Sequence, residues 1–459
     1  MTLVEELASF VVKADYADLS EQARLQLKIH ILDALGCAIG ALQGEPVKLV
    51  RAHIQDFGGS HYCTLIGGGR SDPDRAAFYN STLVRYLDFN DAYLAPGETC
   101  HPSDNLGPVL AACEYSGCRG RDLLAALAVA YQVQCRLSDE APVRDKGFDH
   151  TTQGAYAAAA GVARALGLDV EKTANAIAIS GTSYNSLRVT RTGRLSNWKG
   201  LASPNTMFGA THAAFLALRG VTGPLEVFEG NKGFMDAIAG KFSINWQQED
   251  LESITRTIIK RFNAEIHSQS ALEATLDLRR QYEFQVDQIR EILCEIFDVA
   301  YNIIGGGEEG NKTLVHTKEE ADHSLPYMIA VALLDGKVMP EEYLPERIQS
   351  PDVQSLLHKV LVRPNPAFSQ RFPAEMPCRL TIQLNDGRLL ETEKQGYEGF
   401  VTDPMRWETL YQKFERLSLP FTDTTLRHEI ADAVANLESI SVRDLTRLLE
   451  QVKLPPETG

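Results

Sequence analysis

The strongest constraint on the fold is a change in the spacing of apolar residues along the chain. Residues 1–255 carry apolar side chains at the spacing of one helix after another. Residues 256–399 carry β-branched runs and one hairpin pattern, and residues 400–459 return to helical spacing. We therefore predict a mainly α protein with an α+β second domain. Both chain ends (1–255 and 400–459) should build a large helical domain into which residues 256–399 are inserted, with a cleft between the two domains.

Local signals sharpen the prediction for the helical domain. Ser20 is a preferred N-cap residue ahead of an apolar helical face, and Asp72-Pro73 combines a cap with proline at the first helical position. Residues 121–134 are apolar on almost every side, which predicts a buried central helix. Alanine and glycine crowd residues 156–166, so we expect closely packed helices there.

The inserted segment carries the signals of a small sheet. β-branched residues are frequent in 253–262 and 291–304, and residues 360–362 form a short strand candidate. Two alternating runs, 379–384 and 388–393, flank an Asn-Asp-Gly sequence. Because that turn requires positive φ angles, the pattern strongly predicts a hairpin.

Composition narrows the class of protein. With 45 Lys and Arg against 61 Asp and Glu, the net charge is −16, which disfavours general nucleic-acid binding. The longest uncharged apolar run, 123–133, is shorter than the about 18 residues that a membrane helix needs. The N-terminal MTLVEELASF lacks an early Arg or Lys, and the eight cysteines include no CxxC pair. We therefore expect a cytoplasmic protein with free thiols and no membrane contact.

One loop concentrates titratable residues. Proline and glycine interrupt any helix between Asp91 and His101, and Ser103 is predicted to cap a helix that begins near Leu106. His101 would then lie beside the partly positive N-terminus of that helix, which disfavours its protonation. A neutral histidine near a carboxylate is suited to proton transfer near pH 7. The alternative is a loop histidine that only caps or packs.

A second feature is a stretch without acids. No Asp or Glu occurs in 172–225, although the whole chain is strongly acidic. The stretch contains six cations: Lys172, Arg188, Arg191, Arg194, Lys199 and Arg219. This asymmetry favours a loop that binds a small polyanion, with arginine forks for carboxylates and lysine as a point charge. The alternative is a basic patch that pairs with acids elsewhere in the chain.

Other motifs carry less information. His150 at the start of an Ala-rich helix and His267 just inside the inserted segment are, taken alone, more often structural than catalytic. Residues 305–310 match GxGxxG by letter, but two glutamates stand where a pyrophosphate would lie, so no dinucleotide site is predicted. Residues 322–324 (Asp-His-Ser) are interpreted as the start of a helix rather than a triad. The cysteine spacing fits no iron–sulfur cluster, and no metal or cofactor is predicted.

Two motifs together resemble the MmgE/PrpD family, which includes 2-methylcitrate dehydratases, cis-aconitate decarboxylase and iminodisuccinate epimerase. They are YLDFND at 86–91 and HPSDNLG at 101–107, in the form typical of the dehydratase branch. Further similarity lies around His150 and at 197–199, 208–212, 260–267 and 318–327. The resemblance implies a helical domain from both chain ends, an inserted α+β lid and a homodimer.

The resemblance also implies site residues and an activity. The expected activity is the cofactor-independent dehydration of 2-methylcitrate, and of citrate as a second substrate, with a tricarboxylate as the only small-molecule partner. The family pattern falls on Asp91, His101, His150, Lys199 and His267, whereas Ala95 replaces a threonine of the decarboxylases. The alternatives are another activity of the family, such as decarboxylation or epimerisation, or a non-catalytic binding protein.

Within that reading each residue has an expected role. Asp91 should orient His101 for proton transfer, and His267 should protonate the departing hydroxyl, although base and acid may be exchanged between the two histidines. Lys199 should stabilise the negative charge that develops on the substrate. Lys199, helped by Arg188 and His150, should also bind the substrate carboxylates, and Asn105 is assigned to substrate binding.

Overall fold

The computed structural model describes residues 1–193 and 195–453. Its contacts divide the chain into two units. The first comprises Met1–Arg191, Gly200–Ile258 and the described residues from Arg406 onward; the second comprises Ile259–Met405 and the described part of Thr192–Lys199. The sequence places residues 192–199 in the helical domain, whereas their contacts assign the described ones to the second unit.

The N-terminal part of the chain is helical, as the apolar spacing predicts. Its helices are α1 (Leu3–Lys13), α2 (Glu21–Gly40), α3 (Glu45–Phe57), α4 (Pro73–Tyr86), α5 (Leu106–Ser116), α6 (Gly120–Glu140), α7 (Thr151–Ala165), α8 (Val170–Ser183) and α9 (Trp198–Leu218). Two short antiparallel pairs interrupt them: β1 (Cys63–Thr64) with β2 (Arg70–Ser71), and β3 (Tyr93–Ala95) with β4 (Glu98–Cys100). The Ser20 hydroxyl caps α2, and α6 is the buried central helix that its composition predicts.

The second unit contains a four-stranded sheet in the order β6-β5-β7-β8. Its strands are β5 (Ile289–Ile296), β6 (Val360–Pro364), β7 (Cys378–Leu384) and β8 (Leu389–Lys394). Its helices are α10 (Gln269–Gln281), α11 (Asp298–Ala300), α12 (Lys318–Ala321), α13 (Leu325–Asp335), α14 (Pro345–Ile348), α15 (Pro351–Leu357) and α16 (Pro366–Ser369). β7 and β8 form the predicted hairpin, and Gly387 in its turn has the positive φ that the turn requires. The mainly α fold with an α+β part is thus confirmed.

The C-terminal helices belong to the first unit. They are α17 (Trp407–Ser418), α18 (Thr424–Ala435) and α19 (Val442–Glu450). α17 packs against α2, where Lys413 Nζ lies 2.6 Å from Asp33 Oδ1 and donates a hydrogen bond to the Phe89 carbonyl (2.9 Å). This buried lysine therefore fixes the segment that leads directly into Asp91.

Three local predictions were wrong. Ser253–Arg256 is a 3-10 turn of the first unit rather than a strand, because the chain there packs against α2 and α6 instead of a sheet. In the second β-branched run, residues 291–304, the strand ends at Ile296. Ser103 does not cap α5: it lies inside a 3-10 turn, Pro102–Asn105, that leads into the helix. Pro102 occupies the first position of that turn, so His101 lies immediately before the turn.

Among residues 1–193 and 195–453, no single helix combines the length and apolar character needed to span a membrane. One pair, α2 with α3, meets the length and composition requirement only when taken together, and the two helices are bent by 87°.

Candidate active site

The Asp91 carboxylate lies at the centre of a buried hydrogen-bond network in the first unit. Its Oδ2 atom lies 2.8 Å from His30 Nδ1 and accepts a hydrogen bond from the Tyr131 hydroxyl (2.7 Å). Its Oδ1 atom accepts from the backbone N–H of Ser103 (3.0 Å). α2, α6 and the 3-10 turn after His101 therefore converge on one carboxylate.

This network gives Asp91 a positioning role. Burial raises the pKa of its carboxyl, but the hydrogen bonds and charge of His30 and the donors Ser103 and Tyr131 outweigh burial and lower it overall. Asp91 is therefore ionised and already hydrogen-bonded through both oxygens. The printed partner of the Asp91 Oδ2 atom on α2 is His30, and the contact between Asp91 and His101 runs through the Asp91 backbone.

His101 is held by the backbone of Asp91 rather than by its side chain. His101 Nδ1 lies 2.6 Å from the Asp91 carbonyl oxygen. Because a carbonyl only accepts hydrogen bonds, Nδ1 carries a hydrogen, and Nε2 carries the lone pair whenever the ring is neutral. The ring is only 7% exposed and meets the His150 ring edge-on at 5.3 Å between centroids. This is the geometry of an oriented general base.

His150 belongs to a second buried cluster of the first unit, at the start of α7. Its Nδ1 atom lies 3.3 Å from the Asp149 carboxylate, which Arg191 Nε also approaches (2.5 Å). Burial lowers the pKa of His150 to about 3; the arginines act in the same direction and Asp149 opposes them. His150 is therefore neutral, with its hydrogen favoured on the Nδ1 that faces Asp149. Its buried Nε2 has no partner within residues 1–193 and 195–453 and is suited to accept a hydrogen bond from a substrate hydroxyl.

Arg188 joins the same cluster from the 3-10 turn Arg188–Arg191. Its guanidinium lies 3.8 Å from Asp149 Oδ2, and its backbone N–H donates to the Gly147 carbonyl (2.9 Å). Two arginines thus share one carboxylate, and the three side chains together keep one net positive charge. The pKa of Asp149 is lowered because Arg191, His150 and Arg188 outweigh the raising effect of burial.

Asn105 is fully buried between the 3-10 turn and α6. Its Nδ2 donates to the Pro102 carbonyl (2.9 Å) and to Gln134 Oε1 (2.6 Å), while its Oδ1 has no partner in the part of the chain that the structure describes. The neighbouring Asp104 accepts from Asn90 and Ser203, and burial raises its pKa to about 6. Asn105 therefore offers one buried acceptor oxygen, and its part in substrate binding stays a prediction.

Lys199 lies in the second unit and has acidic and histidine neighbours. Its Nζ donates to Asp322 Oδ1 (2.7 Å) and lies 2.9 Å from His323 Nδ1. Lys318 Nζ binds the other oxygen of Asp322 (2.7 Å). Burial raises the pKa of Asp322, but Lys199, Lys318 and His323 outweigh it, so the pKa is lowered. Two lysines share one carboxylate, and again one positive charge remains.

His267 also lies in the second unit, where Glu265 connects it to Asp322 through hydrogen bonds. Its Nδ1 atom is 2.7 Å from Glu265 Oε1, and the Glu265 backbone N–H donates to the Asp322 carbonyl (3.2 Å). Burial raises the pKa of Glu265, but His267, His323 and Lys260 lower it to about 2 overall. An ionised Glu265 orients the ring, and the buried Nε2 of His267 has no partner among the described residues. Nε2 is therefore placed for proton exchange with a ligand: it gives a proton when the ring is charged and takes one when the ring is neutral.

Both interpretations of the acid-free stretch therefore apply: a loop that binds a small polyanion, and a basic patch that pairs with acids elsewhere in the chain. Its cations pair with acids from outside the stretch: Arg188 and Arg191 with Asp149, and Lys199 with Asp322. Each of these two acids is shared by two cations. Arg194 lies outside the described residues.

The structure distributes the seven predicted site residues over the two units. Five belong to the first unit: Asp91, His101, Asn105, His150 and Arg188. Lys199 and His267 belong to the second, where Asp322 and Glu265 connect them. Residues 322–324 combine two roles, because the Ser324 hydroxyl caps α13 as predicted while Asp322 and His323 contact Lys199.

Sequence reasoning missed His30, Tyr131, Asp149 and Glu265. A signal for His30 was present, because Gln26, His30 and Asp33 recur at helical spacing on an otherwise apolar face of α2. Buried polar residues at such spacing require partners from other elements. Nothing in the local sequence identifies Asp91 as the partner, since 61 positions separate the two residues.

Glu98 lies next to the Asp149 cluster, and its burial leads us to predict that the stability of the protein depends on pH. Burial, assisted by Asp149, raises the pKa of Glu98 from 4.5 to about 7, although the backbone N–H groups of Val143 and Arg144 favour its ionised form. Folding therefore favours the neutral acid. That contribution, at most about 3 kcal/mol, is complete below the unfolded pKa and is lost as pH rises through about 7.

The variant Glu98→Gln tests this effect, since glutamine keeps an acceptor oxygen and never ionises. Relative to the wild type, its unfolding free energy should increase between about pH 5 and about pH 8. Denaturant titrations at both pH values measure the difference, with the exposed Glu283→Gln as control. A difference between wild type and Glu98→Gln that stays constant with pH would contradict the prediction.

Comparison with known proteins agrees with this picture of two units. The model of the MmgE/PrpD N-terminal domain matches residues 5–247, and that of the MmgE/PrpD C-terminal domain matches residues 262–439. The chain is 27% identical over 425 residues to the mitochondrial 2-methylcitrate dehydratase of Yarrowia lipolytica, covering 86% of this chain and 79% of that protein. It is 27% identical over 393 residues to the 2-methylcitrate dehydratase of Escherichia coli K12, covering 79% and 78%. It is also 27% identical over 461 residues to the cis-aconitate decarboxylase of Mus musculus, covering 94% and 90%.

Proposed function

The chain belongs to the MmgE/PrpD family, and we propose that it is a hydro-lyase that dehydrates 2-methylcitrate, with citrate as a second substrate. The product is 2-methyl-cis-aconitate, or cis-aconitate from citrate. The observation that carries this proposal is the geometry of His101. Its Nδ1–H is fixed on the Asp91 carbonyl, so that Nε2 is an oriented base beside the neutral His150.

Dehydration requires a base, an acid and a positive field. His101 Nε2 removes the proton next to a substrate carboxylate, and the released electron pair forms the carbon–carbon double bond. The neighbouring C–O bond breaks, and the hydroxyl leaves as water after taking a proton from His267 Nε2. General acid and base steps of this kind typically contribute 10²–10⁴-fold each. We propose that His101 and His267 act on the same substrate molecule.

The charged clusters supply the positive field. Abstraction of a proton beside a carboxylate adds negative charge to an already anionic substrate, so cations must be aimed at it. Arg188 and Arg191 lie against Asp149, and Lys199 and Lys318 lie against Asp322, so each of these acids faces two cations. We propose that Lys199 and Arg188 bind substrate carboxylates. His150 and Asn105 offer acceptors to its hydroxyl, which revises the expectation that His150 binds a carboxylate.

A substrate panel tests the proposal. The protein should convert 2-methylcitrate, and more slowly citrate, to products whose conjugated double bond absorbs in the ultraviolet, with water as the only other product. Release of carbon dioxide from cis-aconitate would identify a decarboxylase instead, and tricarboxylate binding without turnover a binding protein. The comparable similarity to a cis-aconitate decarboxylase makes that assay essential. Ala95, packed against Tyr93, Cys100 and Cys135, places no hydroxyl where the decarboxylases carry threonine.

We further propose that no metal or cofactor takes part, because histidines and lysines provide the acid, the base and the charge. Exhaustive treatment with chelators should therefore leave kcat unchanged. The measurement is the dehydration rate before and after chelation and gel filtration. A loss of rate that added Fe²⁺, Mg²⁺ or Zn²⁺ reverses would show that a metal is required.

The family also implies a homodimer of this 50.7 kDa chain. Light scattering coupled to size exclusion should therefore give about twice the chain mass. We propose a cytoplasmic location, which fractionation of cells that produce the protein would test.

A further inference from the structure

Asp91 holds the chain on both sides of the short hairpin that precedes the candidate base. Its backbone carbonyl accepts a hydrogen bond from His101 Nδ1 (2.6 Å), and its Oδ1 atom accepts one from the Ser103 N–H (3.0 Å). Between these contacts the chain forms the antiparallel pair β3 and β4, so residues 91 and 101 lie at the same end of that pair. A rotation or shift of Asp91 would therefore change the direction in which His101 Nε2 points.

His30 binds the other oxygen of Asp91. Its Nδ1 atom lies 2.8 Å from Asp91 Oδ2, and both side chains are buried. Because the ionised carboxylate only accepts hydrogen bonds, Nδ1 carries a hydrogen and donates it. On the far side of the ring, Nε2 lies 3.3 Å from Thr257 Oγ1, whose own hydrogen is donated to the Ile254 carbonyl (2.6 Å). The ring is thus bound at both nitrogens, which fixes its orientation.

The contacts around Asp91 form a closed ring within the first unit. Ile258, the residue after Thr257, exchanges two backbone hydrogen bonds with Ala92, the residue after Asp91 (2.8 and 2.9 Å). The residues linked in this order are Asp91, His30, Thr257, Ile258 and Ala92. Because the ring includes both the side chain and the neighbouring backbone of Asp91, a change at His30 is transmitted to the carbonyl that holds His101.

We propose that His30 is a positioning residue: by holding the Asp91 carboxylate, it fixes the Asp91 carbonyl and, through it, the ring of His101. The proposal rests on the proposed function where it takes His101 as the base. Without His30, the Asp91 Oδ2 atom keeps the Tyr131 hydroxyl as a donor (2.7 Å), so the first unit should stay folded. Asp91 would lose one of its two side-chain donors and its link to Thr257, and the direction of His101 Nε2 would no longer be fixed.

Two matched variants separate the hydrogen bond to Asp91 from the rest of the imidazole. In His30→Asn the amide nitrogen takes the place of Nδ1 and still donates to Asp91, whereas in His30→Gln it takes the place of Nε2 and reaches toward Thr257 instead. In steady-state kinetics with 2-methylcitrate, His30→Gln should lower kcat by at least about ten-fold with little change in KM, because a misplacement of about 1 Å can cost about 100-fold. His30→Asn should recover most of that loss.

A second measurement does not depend on turnover. Proton NMR of the wild type should show a low-field signal from the His101 Nδ1 hydrogen, which lies in a 2.6 Å hydrogen bond of a buried ring. His101→Asn, which lacks the ring, identifies that signal by its loss. The signal should persist in His30→Asn and shift or broaden in His30→Gln. If the wild type converts no tricarboxylate, the proposed function fails, yet this signal still tests the positioning role.

Two outcomes with the variants would overturn the proposal. One is a His30→Gln protein that keeps both the kcat and the His101 signal of the wild type, and the other is a His30→Asn protein that loses both as completely as His30→Gln. A third outcome requires no variant: NMR of the wild type with nitrogen-labelled histidine would overturn the proposal if His30 Nδ1 carried no hydrogen. The proposal therefore remains testable even if circular dichroism shows that a variant is unfolded.

Discussion

The variant His101→Asn is expected to lower kcat by at least about 100-fold, the usual contribution of a general base. Asparagine retains an N–H that can bind the Asp91 carbonyl, which His101 Nδ1 contacts at 2.6 Å. It has no nitrogen lone pair to replace Nε2, so the base is removed while the local anchor is kept. KM should change little, because the lost interaction forms only in the transition state.

Steady-state kinetics with 2-methylcitrate measure this effect. The control is His53→Asn, at an exposed histidine of α3 whose ring meets the Phe57 ring edge-on. It should retain wild-type kcat. A His101→Asn enzyme with more than about a tenth of wild-type kcat would show that another group removes the proton.

The second large effect is expected for Lys199→Met. Methionine preserves the length and apolar stem of lysine but removes the charge that should stabilise the anionic transition state. kcat/KM should fall by about 10²–10³, the range observed when one such donor is removed. Asp322 keeps Lys318 as partner at 2.7 Å, so the second unit should stay folded.

A matched control separates Lys199 from the basic stretch as a whole. Lys172 lies in the same acid-free stretch, in the first turn of α8, and Lys172→Met should leave kcat/KM nearly unchanged. A decrease of less than ten-fold for Lys199→Met, or an equal decrease for both variants, would contradict the assigned role. Circular dichroism of each variant verifies folding.

The double variant tests whether the two units serve one reaction. If His101 and Lys199 act on the same transition state, the combined loss in kcat/KM should be smaller than the product of the single losses. Additive free energies would indicate that the two residues contribute independently. Kinetics of the four proteins, wild type included, complete this cycle.

Much of the fold was predictable because its signals are local. The Ser20 cap, the proline after Asp72 and the Asn-Asp-Gly turn each specify a backbone conformation within a few residues. The 253–262 segment shows the limit of such signals. Its β-branched residues are equally suited to a strand or to an irregular buried segment, and contacts with α2 and α6 decided between the two.

The site was predictable only in part, because residue types can be read from a sequence and partners cannot. The motif residues indicated His101, Lys199 and His267. The Asp91 backbone and the distant Asp322 hold the first two, whereas the side chain of Glu265, two residues away, holds His267. His30 binds Asp91 across 61 positions, and Asp322 binds Lys199 across 123. The residues that hold these side chains could therefore be identified only once the packing of the helices was known.

By itself, the sequence determined the helical character of both chain ends, the hairpin and the acid-free stretch, since periodicity, turn chemistry and charge are properties of neighbouring residues. Only the tertiary structure decided that Asp91 binds His30 through its carboxylate and His101 through its carbonyl. The physical reason is desolvation: each buried charge must find a partner wherever packing provides one.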